Sequence, residues 1–459
     1  MTIKIRRVHF VGLGGIGMSG IAEVLINRGF SVSGSDLKNS AVLDRLRKLG
    51  ARVAIGHAAE HVGDADVLVY SSAVDKANPE LLEAKGRGVP IIPRAEMLAE
   101  LMRMKEGVAV AGSHGKTTTT SLVAWILSEA GFDPTCIIGG RLEQFDSNAR
   151  LGEGSLLVAE ADESDGSFLK LTPVMTVITN IDPEHLDHYG TFDNLEAAFV
   201  AFANSVPFYG MNVMCLDHPV VRAILPRVAR RYATYGFGED ADFTAKDARG
   251  DGMAMRFSVW KGSARLGEVR LPMPGLHNVL NALAAIVCAM ELEIPFQTII
   301  DALATFQGPD RRFQVKGAAR GVTVIDDYGH HPEEIRATLA AARTVAKGKI
   351  WALFQPHRFT RVRDLFRDFS RSFSDADVLL VTDIYPASER PIPGITSEAL
   401  YEAIRKTGHP DARYVADMND AARAAAAEMQ DGDMLITLGA GDVKNAGVLA
   451  LKRLRGEEA

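Results

Sequence analysis

Three α/β domains in series are the fold class this sequence predicts, and two observations predict it. At 459 residues, with 47% apolar and 24% charged residues, the chain has the length of about three ordinary domains and enough apolar residues to give each a core. An apolar strand run that opens into a glycine-rich or polar loop and then into a helical pattern also begins anew three times, near residues 5, 108 and 322.

The first start, IRRVHFVGLGGIG (5–17), is a strand entering a glycine turn, followed by a helix over 18–27. Gly12, Gly14 and Gly17 satisfy G-x-G-x-x-G, and a strand over 30–35 closes on Asp36, 19 residues after Gly17, near the spacing of about 20 expected of a ribose-binding acid. The pattern fits a nicotinamide dinucleotide enzyme, and equally any binder of a nucleoside diphosphate. Strands over 67–74 and 89–94 and a short helix over 95–104 complete the unit at about a hundred residues, small for a whole dinucleotide domain. The boundary falls at 105–107.

The second start, VAVAGSHGKTTTTSLV (108–123), organises the chain. A buried strand runs into Gly112, Ser113, His114, Gly115 and Lys116 and then four threonines, with a helical pattern over 122–127. A loop of this kind turns backbone N–H groups and a helix N-terminus toward one point, which a phosphate chain fills. Lys116 would neutralise the outer phosphates of ATP and the Thr117 hydroxyl would ligate Mg²⁺. The pattern is the shorter G-x-x-G-K-T, because Val110 stands where the longer form has glycine. Four β-branched residues at a helix start cost helix propensity without filling a core, which favours a ligand loop over a simple helix entry.

The strand in LLVAEADESDGSF (156–168) ends in Glu160, Asp162, Glu163 and Asp165, where carboxylates of nucleotide enzymes hold Mg²⁺; a solvated acidic loop is the alternative. The strand over 174–181 ends in NIDPEHLDHYG. Its His185 and His188, with Asp182, Glu184 and Asp187, match no zinc spacing, so a Mg²⁺-type site using the His185 imidazole is expected, with His188 structural. Residues 211–271 read as an insertion or edge sheet of short strands. A helix over 274–290 places Asn278 and Asn281 one turn apart on one face, to serve a nucleotide or to cap the helix. After 306–313 a third α/β domain follows, with polar residues at the strand ends.

A net charge of −7 leaves no basic footprint for nucleic acid. Cys136, Cys215 and Cys288 are odd in number and set among apolar neighbours, as in a reducing compartment. Glycines break the first apolar segment before a secretory core forms, and no run approaches a membrane span, so a cytoplasmic protein is expected.

GLGGIGMSG, GSHGKTTTT, EADESDGSF, NIDPEHLDHYG, GLHNVLNA, RRF, DDYGHHP and QPHRFTR, in this order and over essentially the whole chain, resemble the Mur ligases. The resemblance implies a Rossmann-like UDP-sugar-binding domain (1–106), a P-loop ATPase α/β domain (107–309) and a Rossmann-like ligase domain (310–459) that closes on ATP. It implies that Gly12, Gly14, Gly15, Gly17, Asp36 and Ser71 hold UDP-N-acetylmuramate. Gly112, Ser113, His114, Gly115, Lys116, Thr117, Thr118, Asn278, Asn281 and Arg312 would hold ATP. Thr117, Glu160 and His185 would hold Mg²⁺, or Mn²⁺ in its place. Lys116, Glu160, His185, Arg312 and Asp327 would be catalytic, and His330, His357, Arg358 and Arg361 would face the substrates. The implied reaction is the ATP-dependent joining of L-alanine to the lactyl carboxylate of UDP-N-acetylmuramate through an acyl phosphate, in peptidoglycan precursor synthesis. Members that add later residues use a carbamylated lysine after the histidine matching His185, and residues 186–208 hold no lysine, which favours the alanine-adding type. A nicotinamide oxidoreductase, supported by the first loop and Asp36, and a nucleotide-switched regulator without a sugar nucleotide stay as alternatives from other classes.

Overall fold

The computed structural model describes residues 5–71, 73–145, 147–387 and 389–457. Three sheets organise them, each built largely of parallel strands.

The first sheet arises from β1 (Arg7–Val11), α1 (Ile16–Asn27), β2 (Ser31–Asp36), α2 (Ala41–Lys48), β3 (Arg52–Ile55), β4 (Val67–Tyr70), α3 (Pro79–Gly86), β5 (Ile91–Pro93) and α4 (Arg94–Met102). All five strands are parallel, in the order β3-β2-β1-β4-β5. Their carboxyl ends therefore lie along one edge, where Gly12, Asp36, His57 and Ser71 sit on four adjacent strands or the residues just after them. The strand expected over 67–74 stops at Tyr70, because Ser71 begins a turn closed by Val74 N–H on its carbonyl at 3.0 Å. The alternation of Arg and Ala in β3 carries too little apolar signal to read as a strand, and it is half-exposed in the fold.

The second sheet is built from β6 (Glu106–Ala111), α5 (Lys116–Glu129), β7 (Thr135–Leu142), β8 (Ser147–Arg150), β9 (Leu156–Glu160), β10 (Met175–Ile178), α6 (Leu186–Tyr189), α7 (Phe192–Asn204), β11 (Met211–Cys215), α8 (Pro219–Ile224), β12 (Tyr232–Gly236), β13 (Phe243–Asp251), β14 (Ala254–Lys261), β15 (Ala264–Leu271), α9 (Leu276–Glu291) and α10 (Phe296–Ala304). Its order is β15-β14-β13-β12-β11-β10-β6-β9-β7-β8. Two expectations are corrected here. Of the two readings of 211–271, an insertion or an edge sheet, the second holds for β13 to β15, which end the sheet, whereas β11 is buried at every position and extends the parallel sheet beside β10. The threonines after Lys116 do fill a core, since Thr118, Thr119 and Thr120 are buried inside the first turns of α5.

The third sheet comes from β16 (Gln314–Ala319), β17 (Val322–Asp327), α11 (Pro332–Val345), β18 (Ile350–Phe354), α12 (Phe359–Asp364), α13 (Phe366–Phe369), β19 (Val378–Val381), α14 (Ser397–Lys406), β20 (Ala412–Tyr414), α15 (Met418–Glu428), β21 (Met434–Leu438) and α16 (Lys444–Arg455), in the order β16-β17-β21-β18-β19-β20. It has an apolar cluster on each face, one around Ile335, Phe354 and Phe373 and the other around Trp351, Leu435 and Leu451. The antiparallel edge strand β16 has no apolar alternation and was not expected.

Packing divides the chain into two compact units, one of residues 1–246, 258–269 and 280–307, the other of 247–257, 270–279 and 308–459. The first two sheets share a unit because one buried cluster runs from Phe10, Ile21 and Leu98 on to Ala109, Ile137 and Phe199. Polar contacts tie the same seam: Arg94 donates to Asp162 at 3.0 Å, Arg45 to Ser147 at 2.6 Å and Asn148 to the Ile16 carbonyl at 2.6 Å. Cys136, Cys215 and Cys288 are buried and unpaired. Burial raises all three thiols, Cys215 to about 11 and Cys136 to about 12. Among the described residues no helix is long and apolar enough to cross a membrane.

Candidate functional site

The loop between β6 and α5 is shaped by two left-handed glycines. Gly115 caps α5 at φ 84°, and a Cβ there would stand 2.6 Å from Asn281 Oδ1; Gly112 lies against Thr179 and Asn180 too closely for any side chain. The strand end after β10 braces the loop. Asn180 Oδ1 accepts from His114 N–H at 2.7 Å, Thr179 Oγ1 donates to the His114 carbonyl at 2.6 Å, and Ser113 Oγ accepts from Asp182 N–H at 2.8 Å. Lys116, Thr117 and Thr118 then open the helix, whose N-cap Gly115 supplies no side-chain cap, so the first N–H groups of α5 lie at the end of the loop without one.

Lys116 Nζ donates to the Gly112 carbonyl (2.5 Å), the Ser113 carbonyl (3.2 Å) and Glu163 Oε1 (2.7 Å). Burial would lower its pKa, but the negative charges of Glu163, Asp162 and Glu184 hold it above the ordinary lysine value, so it is a cation at neutral pH. Glu163 is 1% exposed, and its second oxygen has no hydrogen-bond partner among the described residues. Glu163, Glu184 and His185 bring a donor atom each to within 4.8 Å of one another. His185 occupies the left-handed region at φ 56°, an unfavourable conformation for a non-glycine residue, and in it Nε2 lies 3.5 Å from Glu184.

Glu160 ends β9, where its Oε1 accepts from Gly139 N–H on β7 at 2.6 Å. The carboxylate grouped with Lys116 and His185 is thus Glu163, three residues on, past the point where the strand pattern gives any direction to side chains. Asn281 lies against Gly115, and its Oδ1 accepts from Thr119 Oγ1 at 3.2 Å. Asn278 donates to the Pro274 carbonyl at 2.7 Å, the turn before α9. His188 packs edge-on against Tyr189 and near Gly166.

In the first sheet a cleft of about 530 Å³ opens at the strands' carboxyl edge, lined among others by Gly12, Gly15, Asp36, Ser71, His57 and Asn78. Gly14 and Gly17 stand outside that lining: Gly14 N–H donates to Asp36 Oδ2 at 2.8 Å, and Gly17 faces Arg94. Asp36 thus ties the glycine turn with one oxygen. His57, which the sequence reading did not single out, follows β3, the strand that reading missed.

The 308–459 unit holds the remaining candidates. Both Asp327 oxygens accept backbone N–H groups, from Phe313 and Gly329 at 2.7 Å each, and its burial raises its pKa. It organises the two turns that carry Arg312 and His330. Arg312 donates to Glu334 at 3.3 Å and lies over the Tyr328 ring. His330 Nδ1 lies 3.0 Å from the Tyr328 carbonyl, and its ring is 5.8 Å from that of His357, which stacks on Tyr385 and takes an Arg361 N–H at 3.0 Å. Burial, helped by nearby arginines, lowers both imidazoles, His330 to about 3 and His357 to about 4, so both are neutral at pH 7. Arg358 is exposed beside them, at φ 69°.

Residues 7–106 match the Mur ligase family catalytic domain, 110–289 the Mur ligase middle domain and 311–441 the Mur ligase glutamate ligase domain. The chain is 58% identical to the UDP-N-acetylmuramate–L-alanine ligase of Sorangium cellulosum (98% of this chain, 96% of that protein) and 55% identical to that of a Geobacter species (98% of each). Its fold superposes on the crystal structure of UDP-N-acetylmuramate–alanine ligase from Thermotoga maritima with a TM-score of 0.84, at 29% identity over 98% of this chain and 99% of that one.

Proposed function

We propose, on the premise that this chain belongs to the Mur ligase family, a division of labour among its sites for the reaction that its relatives carry out. The chain is an ATP-dependent ligase that joins L-alanine to UDP-N-acetylmuramate in peptidoglycan precursor synthesis. The observation that carries the division is the loop of Gly112 to Thr117, in which Lys116, held by two loop carbonyls and Glu163, opens helix α5 directly after the left-handed Gly115.

A carboxylate does not yield an amide directly, because oxide is too poor a leaving group, so the lactyl carboxylate must first become an acyl phosphate. Lys116 and the first N–H groups of α5 would bind and orient the outer phosphates of ATP, with Asn281 bracing the loop. Of the Mg²⁺ ligands expected from the sequence, Thr117, Glu160 and His185, the last shares a donor group with Glu163 and Glu184, and His185, Glu163 and Glu184 would hold Mg²⁺; the unpartnered buried oxygen of Glu163 and the carboxylate-rich set suit a hard cation. When bound, Mg²⁺ neutralises phosphate charge. The cleft over Gly12, Asp36 and Ser71 would take the UDP-sugar. His357, Arg358 and Arg361 would meet the carboxylate of alanine, and Arg312 would add charge beside the phosphates. These roles assume domain limits at 1–106, 107–309 and 310–459, and the three buried free cysteines together with the use of ATP support a cytoplasmic location.

With ¹⁸O in the lactyl carboxylate, one labelled oxygen is expected in the released phosphate and none in ADP. Label in AMP would indicate adenylation and overturn the acyl-phosphate route.

A further inference from the structure

We propose that His57 reads the base of the sugar nucleotide through an Nε2 lone pair, and that Glu80 is the positioning residue that fixes this tautomer. The inference rests on the cleft being the UDP-sugar site.

Glu80 is fully buried and accepts from every side: His9 Nε2 at 2.9 Å and Ser35 Oγ at 2.7 Å on one oxygen, His61 Nδ1 and Ala58 N–H at 3.2 Å each and His57 Nδ1 at 3.4 Å on the other. Burial would push its carboxyl up, but the hydrogen bonds of His9, Ser35 and His61 hold it at about 2, so it is an acceptor only. Ser35 has one proton and gives it to Glu80. Its oxygen, 2.9 Å from His57 Nδ1, can then only accept. Both neighbours of His57 Nδ1 are therefore acceptors, and Nδ1 must carry the ring proton. In the neutral ring Nε2 then carries the lone pair; it has no partner among the described residues, is not sealed from solvent, and belongs to a side chain that lines the cleft.

The position suits a base. In the strand order β3-β2-β1, His57 stands at the end of β3, two strands from the Gly12 turn and beyond Asp36, which ends β2. At about 4.8 Å per strand this is roughly 10 Å, the reach of a ribose and base from a diphosphate held at the glycine turn. Uracil presents an N3–H donor between two carbonyls, whereas cytosine has a lone pair at N3. A fixed acceptor pairs with the first and repels the second.

The test is calorimetric titration of the full chain with UDP, CDP and N3-methyl-UDP. Wild type should bind UDP at least about tenfold more tightly than either analogue. H57A should weaken UDP and bring the three affinities together while its affinity for ATP stays unchanged, and E80Q should narrow the UDP-to-CDP ratio. UDP binding with an undiminished ratio in H57A overturns the proposal by itself, and a folded E80Q with the wild-type ratio overturns the positioning role. If wild type fails to bind UDP at all, the reading of the cleft falls with it.

Discussion

Lys116 directs all its polar contacts inward, to two carbonyls of its own loop and to Glu163, so an arriving phosphate must take over a cation that already has anionic company. Lys116→Ala should lower ligation by about 10²–10³-fold, the usual cost of losing one electrostatic stabiliser. UDP-sugar affinity should stay within about twofold, because the glycine turn lies on another sheet; a wild-type rate would remove Lys116 from the phosphate site. Glu163 shares its first oxygen with Lys116 and leaves the second unpaired. Glu163→Gln and His185→Ala should each raise the Mg²⁺ concentration needed for half-maximal turnover and weaken Mn²⁺ binding followed by electron paramagnetic resonance. Unchanged metal binding in both would leave them structural.

The strand–loop–helix element of β6 and α5 is held by backbone conformations that only glycine adopts cheaply. Gly115→Ala would pair a left-handed cap, costing about 1–2 kcal/mol for a residue with a Cβ, with a contact 2.6 Å from Asn281. The expected outcome is a lower urea midpoint together with ATP affinity reduced at least about tenfold, measured by unfolding and by nucleotide titration. A variant with wild-type values in both would mean that the loop relaxes without consequence. The burial of Thr118, Thr119 and Thr120 at the head of α5 explains how four β-branched residues persist there: packing against the sheet offsets their poor helix propensity.

At the scale of the molecule, the two compact units should respond to acid in different windows. His277 and His357 are lowered from 6.5 to about 4, and His330 to about 3, chiefly by burial. The unfolded chain takes up these protons first, so their stabilising effect is full above about pH 6.5 and falls as pH drops toward 4. Glu80 is lowered from 4.5 to about 2, so its contribution is full above pH 4.5 and is lost only as pH falls toward 2. Hydrogen exchange read by mass spectrometry should therefore show protection failing in 308–459 between pH 6.5 and 4, before it fails in the first sheet. The reverse order would contradict the assignment of neutral buried histidines.

By itself the sequence determined the number and class of the sheets, because apolar strand runs and glycine-turn spacings are local patterns. It also determined the phosphate loop, whose Gly112, Gly115 and Lys116 sit within five residues of one another. It missed β3 and β16, whose half-exposed strands alternate weakly, and it took the core strand β11 for part of an insertion or edge sheet, because burial on both faces removes periodicity. Only the tertiary structure decided which of the carboxylates in EADESD meets Lys116 and His185. The direction of Glu163 is set by a turn after the strand and by a loop 47 residues away along the chain. The cluster of His9, Ser35, His57, His61 and Glu80 was equally illegible, since it joins positions up to 71 residues apart through the parallel packing of β1, β2 and β3, and hydrogen bonding across such distances leaves no spacing to read.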